Sequence, residues 1–515
     1  MLAILQFDAA SASVLSRLLA DERLPVLAGL RDRGIWHELE APATQFAAGA
    51  QHTLYSGVEL GEHGLFYPFQ WDPEEQRVHY MAHFPAPPPV WEELGRRGAR
   101  TLAVDPYESR APSSPPPGAL VCGWQLHDRV VLQQWDAPGN LHERLERLFG
   151  PPESVDEVFG QHTVAEMLAL RRRLLGAPGR VAEAARLLLP EDDHALAWLT
   201  FCAAHVAGHQ FWDLSQLDGD DLDDAASRVL GSTLDDVYVA VDAAIGRVVD
   251  ALPVDADVMV ISPVGMDVNT SRADLLPEML RAILDPAPVS SSSDADADAD
   301  AGGAGGAGAI WKLRDRLPTG LRAKVADTLP EKVALDLTAR LELRGMDWGT
   351  TRAFAHPAEN QGYVRLNLQG RERDGIVPPS EADALMDEIA AGITTFRGLD
   401  GSDAVRSVER VGDIFPSGDR AHLLPDLIVK WVDTPATRLD GLRSERFGTV
   451  LRHGVGSGRS GNHTEGDAWA LVVPGGSRHA TLTRPPRLED VAATAAALAG
   501  GDPGSMTGTP LLDPT

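Results

Sequence analysis

The residues best suited to chemistry in this sequence are two histidines in AAHVAGHQFWDL, Ala203 to Leu214, which follows the apolar run Ala195 to Phe201. If the run is a buried strand and the next residues open a helix, His205 and His209 stand four apart and project from one helical face. Two imidazoles at that spacing can bind one metal ion. The competing reading is a pair of partly buried, hydrogen-bonded histidines at a strand-to-helix junction, and the spacing alone does not choose between them. Asp8 ends the run Leu2 to Phe7, which reads as a buried first strand. In open α/β sheets that edge is where ligands collect. Asp8 is then either a metal ligand or the cap of the helix that starts near Ser11.

The elements around these residues must come from a chain of 515 residues that is 43% hydrophobic, enough for one large core or two modest ones. The formal net charge is -29, from 75 acidic and 46 basic residues. That balance argues against a partner that is a nucleic-acid polymer or an anionic membrane, because phosphate binding needs dense Lys and Arg. Cys122 and Cys202 are the only cysteines, so neither a disulfide framework nor a Cys-based zinc cluster is expected. MLAILQFDAA has no basic flank and too short an apolar run for a signal peptide, and no run approaches the roughly 18 apolar residues of a membrane span. The expected setting is the cytoplasm.

Along the chain, Ser11 to Gly34 has apolar residues at helical spacing, Arg100 to Val104 reads as a short strand, and Val164 to Leu189 as helical. The run Arg171-Arg172-Arg173 fits a solvated helix face. Leu222 to Leu252 reads as a long amphipathic helix and Asp257 to Ile261 as a second buried strand. Ser290 to Ala309, SSSSDADADADAGGAGGAGA, is too polar and Gly-rich to offset its ordering entropy, so 286–310 reads as a flexible linker.

Several motifs in a consistent order resemble the alkaline phosphatase superfamily, specifically its type I phosphodiesterase and nucleotide pyrophosphatase branch. They are the Asp ending the first strand, LPVLAGLRDRG (Leu24 to Gly34) and YSGVELGEHG (Tyr55 to Gly64). Further on come TRAFAHPAENQGYVRLNLQGRERDGIV (Thr351 to Val377, with its turn at Asn367, Gly370 and Arg371), HLLPDLIVKW (His422 to Trp431) and RSGNHTEGDAWALVVPGG (Arg459 to Gly476). The resemblance implies an α/β fold of the alkaline phosphatase kind, with a central, mostly parallel sheet flanked by helices. It implies a single domain over 1–515, with 68–190 as a covering insertion that sets substrate choice.

In that family one metal is held by an Asp and a His from Asp-x-x-x-His plus a late His, which here correspond to His205, His209 and His463. The other metal is held by the first Asp, a Thr or Ser nucleophile, and an Asp-His pair after the second strand. Here only Asp8 of that second set remains, because the strand runs into Ser262-Pro263-Val264-Gly265-Met266. Counting back from Gly57 without a gap puts Ala47 at the nucleophile's position, and Thr44 takes it only if the loop is longer than usual. Asp267 lies close enough in sequence to substitute for a lost ligand, or is a loop or helix-capping Asp.

Three neutral imidazoles suit Zn²⁺, which in catalytic sites commonly has three protein ligands and a water. One expectation is therefore a mononuclear enzyme with one Zn²⁺ per chain, using Asp8 as base or orienting group on a small phosphate ester or diester, or on a repurposed small-molecule substrate. A second is a catalytically inactive relative that binds or assembles, favoured by Ala47, Pro263 and Val264. A third, an intact two-metal phosphodiesterase, requires Thr44 and Asp267 to replace missing groups. Nothing in the sequence bears on oligomeric state.

Overall fold

The computed structural model describes residues 1–112, 114–128, 132–155, 162–217, 222–285, 343, 346–358, 360–452, 459–501, 504 and 506–514. The segment 286–310, read from sequence as a linker, lies outside them. The longest uninterrupted apolar runs form the centre of one eight-stranded sheet. In chain order its strands are β1 (Leu2–Phe7), β2 (Ile35–Leu39), β3 (Thr101–Val104), β4 (Gly118–Cys122), β5 (Trp135–Ala137), β6 (Leu196–Phe201), β7 (Asp257–Ser262) and β8 (Ala468–Val473). They lie side by side as β2-β8-β7-β1-β6-β3-β4-β5.

β7, β1, β6, β3 and β4 are parallel neighbours, and the edge pairs are antiparallel. Every residue of β1, β6 and β7 is buried, which is why these strands read as continuous rather than alternating apolar runs. The expected α/β architecture, a mostly parallel sheet flanked by helices, is thus the one observed.

Helices cover both faces. On one lie α2 (Val164–Leu188), α3 (Ala203–Phe211) and α4 (Thr233–Val249), packing Val181, Tyr238 and Val241 against Leu5, Phe7 and Phe201. A fully buried Phe such as Phe201 contributes about 1.5–3 kcal/mol by leaving water. On the other face, α1 (Gly49–Ser56) and the helix Asp490–Leu498 pack Leu54 and Val491 against Ile4, Trp198 and Ile261. A separate four-stranded antiparallel sheet, Ala353–His356, Gly362–Leu366, Leu427–Trp431 and Val405–Arg410, has its own core around Val364, Ile389 and Trp431.

Two helical readings need correction. Ser11 to Gly34 is two helices, Ala12–Ala20 and Pro25–Arg31, because Pro25 fits only a first helical turn and forces Leu24 out of helical geometry. Likewise 222–252 divides into Asp224–Gly231 and Thr233–Val249 at Ser232, whose hydroxyl bonds back to the Val229 carbonyl and on to Asp236. The span 68–190 supplies β3, β4 and β5 to the central sheet in addition to a hairpin, Phe69–Asp72 with Arg77–Tyr80. Arg171 and Arg173 of the basic run pair with Asp236 and Glu153. Among the described residues no helix is long and apolar enough to cross a membrane.

Candidate functional site

Register decides what meets at the carboxyl edge of the sheet. Phe7 of β1 lies level with Phe201 of β6, and Gln6 with Ile261 of β7, so the residues that follow all three strands emerge together. After β1, Ala9 adopts φ 50, a left-handed conformation that costs an L-residue roughly 1–2 kcal/mol. The following amides anchor it, Ala10 N–H donating to Ser262 Oγ and Ser11 N–H to Tyr238 Oη. Ser11, not Asp8, caps the next helix.

β6 passes through Cys202 straight into α3, all nine residues of which are buried, and His205 and His209 share one face of it. Their partner comes from the far end of the chain. Ser460 caps the end of α3: its N–H and Oγ both bond to the His209 carbonyl, while Oγ accepts from Trp212 N–H. Gly461 then passes so close to the helix that a Cβ there would sit 2.2 Å from the Gly208 carbonyl oxygen. A short antiparallel ladder between Gly461–His463 and Met266–Val268 sets His463 opposite Met266.

The result is a compact triad. His205, His209 and His463 each offer a ring nitrogen, all within 4.8 Å of one another, and the ring centroids are 4.7–4.9 Å apart. His205 Nδ1 donates to Asp8 Oδ2 at 2.7 Å, and His209 Nδ1 to the Gly461 carbonyl at 3.0 Å. The Gly461 carbonyl can only accept, so His209 Nδ1 carries that ring's proton and its Nε2 presents a lone pair, while the Asp8 carboxylate turns His205 Nε2 toward it. Those two Nε2 atoms face each other at 3.1 Å.

His463 completes the pattern. Its ring bonds to the backbone of Gly265, while Nδ1 is buried without a hydrogen-bond partner. Burial, first of all, holds the proton affinity of His209 and His463 well below the usual histidine value, and Arg459 and the neighbouring rings add to this. The His209 and His463 rings are therefore neutral at pH 7, the form that binds metals.

Three ring nitrogens thus gather within 4.8 Å of one another in buried space, an arrangement that a bound cation would stabilise. A tetrahedral zinc held at about 2.0–2.1 Å from each nitrogen separates its ligands by about 3.3 Å, close to the His205–His209 spacing. The donor set fits that ion. The carboxylate behind His205 and the carbonyl behind His209 are the kind of outer partners that fix ligand orientation.

Asp8 is itself fully engaged: Oδ1 accepts from Gln6 Nε2 at 2.9 Å and Gln51 Nε2 at 2.7 Å, opposite the bond from His205. Gln6 Oε1 in turn accepts from Tyr55, Trp198 and Thr200. Gln6 and Gln51 escaped the sequence reading because neutral amides carry no motif, and only the register of β1 against α1 reveals them. Arg459 also escaped it, although it opens the stretch that carries His463. It is buried, with Nη1 3.5 Å from His209 Nε2.

The remaining expected residues sit elsewhere in this picture. Thr44 lies in the turn Pro42–Thr44, and its hydroxyl donates to the Ala41 carbonyl. Ala47 is buried just before α1. Ser262 Oγ donates to the Val264 carbonyl, closing the corner after β7 on itself, and Val264 joins the apolar core. Asp267 is exposed, with Oδ1 accepting from Val268 N–H.

A family model described as type I phosphodiesterase / nucleotide pyrophosphatase matches residues 2–436. No curated protein matches the sequence. Among solved structures, phosphonoacetate hydrolase from Sinorhizobium meliloti 1021, bound to phosphonoacetate, superposes over 97% of this chain and 95% of its own at 13% identity, with a TM-score of 0.49. An inactive form of murine ectonucleotide pyrophosphatase / phosphodiesterase 5 in complex with AMP covers 99% of both chains at 12% identity, also with a TM-score of 0.49.

Proposed function

The chain belongs to the type I phosphodiesterase / nucleotide pyrophosphatase family, and from that premise we propose that it is a hydrolase with a single His-rich metal centre acting on a small phosphate ester or diester. In this reading His205, His209 and His463 hold one Zn²⁺ per chain. The carrying observation is the gathering of three ring nitrogens, His205 Nε2 facing His209 Nε2 at 3.1 Å with both Nδ1 atoms bonded elsewhere and the unpartnered His463 Nδ1 beside them. A zinc so held would supply Lewis acidity and an acidified water.

The chain's own groups do the rest. Asp8 fixes the tautomer and direction of His205, and its saturation by two amides makes it an orienting group rather than a base. Arg459 offers a guanidinium beside the triad, suited to an anionic substrate oxygen. Ala47 offers no nucleophile, and Thr44 spends its hydroxyl on Ala41, so attack by water without a covalent intermediate is the reaction type proposed. The proposed setting is the cytoplasm, consistent with two buried cysteines that form no disulfide.

The test is metal analysis of the full chain prepared without chelator, with hydrolysis of p-nitrophenyl phosphate and bis(p-nitrophenyl) phosphate measured alongside. About one zinc per chain, lost together with activity in His209→Ala, supports the proposal. The closed corner at Ser262–Val264 favours a second reading, an inactive relative that binds a ligand. Protein that carries no metal and hydrolyses neither ester favours that reading.

A further inference from the structure

We propose that the hairpin Phe69–Asp72/Arg77–Tyr80 and the turn after it form a second divalent transition-metal site, made by Asp72, Glu75, His79 and His83, which clamps the wall of a neighbouring cleft. The site does not rest on the His205/His209/His463 reading. Each of the four side chains offers one ligand atom, and all four atoms lie within 4.8 Å of one another. Two imidazole nitrogens and two carboxylate oxygens suit Zn²⁺ and the other late first-row divalent ions, and the carboxylates neutralise the ion's charge.

The geometry is already partly organised. Asp72 Oδ1 accepts from the Glu74 and Glu75 amides at 2.8 and 2.9 Å, which fixes the carboxylate and leaves Oδ2 2.9 Å from His83 Nε2. Glu75 Oε2 lies 3.1 Å from His79 Nε2, and the two imidazoles stack with centroids 3.7 Å apart. The His83 ring is 37% exposed and opens the site to solvent. The hairpin is held from behind: Trp71 N–H donates to His356 Nε2, Trp71 Nε1 to Glu372, and Asp374 N–H to Gln76 Oε1.

A positive charge already holds two of these ligands. Arg77 Nε lies 2.8 Å from Glu75 Oε2 and 2.9 Å from His79 Nε2. Metal and guanidinium therefore compete for the same lone pairs, so removing the guanidinium should strengthen metal binding. A mere surface ion-pair network would show no such effect.

The position gives the ion something to do. Tyr80 and Met81, which join the hairpin to His83, line a cleft together with His52, Tyr55, Trp91 and Glu108. Met81 Sδ also contacts His52 Nε2 at 3.4 Å. A metal joining residues on both sides of this turn would fix that wall.

The test is Zn²⁺ titration of the chelator-treated full chain by calorimetry, with hydrogen exchange of the 80–84 amides read in parallel. Expected are two classes of site, with His79→Ala and His83→Ala each weakening one class by about tenfold or more. Arg77→Ala should tighten the same class, and His463→Ala should remove the other, which separates failure of this site from failure of the triad. Zinc should slow exchange at 80–84 in the wild-type chain but not in His83→Ala. Unchanged affinities in all three hairpin variants, or exchange at 80–84 indifferent to zinc, would overturn the proposal. The exposed His83 can be changed without touching the core, so misfolding does not obscure the result.

Discussion

Two corners of one sheet edge have gone opposite ways. At the end of β6, His205 and His209 turn Nε2 toward Nε2, while their Nδ1 atoms bond outward to Asp8 and Gly461. At the end of β7, Ser262 bonds to the Val264 carbonyl and Val264 packs into the core, so the polar groups satisfy one another and no lone pair is left over. In the reading proposed above, the difference separates a metal seat from a closed corner. The former gathers ring nitrogens in buried space, where a cation would satisfy them, while the latter pairs its polar groups internally.

The comparison breaks most sharply at His209. Changing it to Ala should abolish metal binding at the triad and lower hydrolysis by about three orders of magnitude or more, read by metal content and initial rates. Asp8→Asn keeps the shape but replaces the carboxylate behind His205. It should weaken metal affinity by about 10- to 100-fold, measured by competition with a chromophoric chelator.

At the other corner, Val264→Asp would bury an uncompensated carboxylate. It should cost about 1–3 kcal/mol of stability without adding a metal, as denaturant unfolding and metal analysis would show. A second bound ion in that variant would mean the corner is still a seat.

The smallest effect per group concerns pH. Burial holds His209 and His463 well below the ordinary value, His52 at about 4 and His356 at about 3. Below the unfolded pKa near 6.5 the unfolded chain binds protons that the native chain does not, so stability falls as pH drops from about 6.5 toward 4 and is flat above. Thermal melts of the metal-free protein across that window should show this slope, and a shallower one in His209→Gln.

Much of this was legible in the sequence where burial is complete. Ala195 to Phe201 and Asp257 to Ile261 read as strands because a strand covered on both faces is largely apolar, and the helix carrying His205 and His209 followed from its place after one of them. His463 came only from family resemblance, since nothing local marks a histidine that must travel across the fold through the contact of Gly461 with Gly208. Gln6, Gln51 and Arg459 could not be read, because their roles exist only in register and distance. The spacing of Asp72, Glu75, His79 and His83 is visible in the sequence, but its meaning depends on a hairpin turn that folds the four together.

Anomalous diffraction at the zinc absorption edge, from crystals of the full chain grown with one equivalent of Zn²⁺ per triad, tests the central claim most directly. The account predicts a peak about 2.0–2.1 Å from His205 Nε2, His209 Nε2 and His463 Nδ1. A map with no peak there, and the three rings still converging, would contradict it.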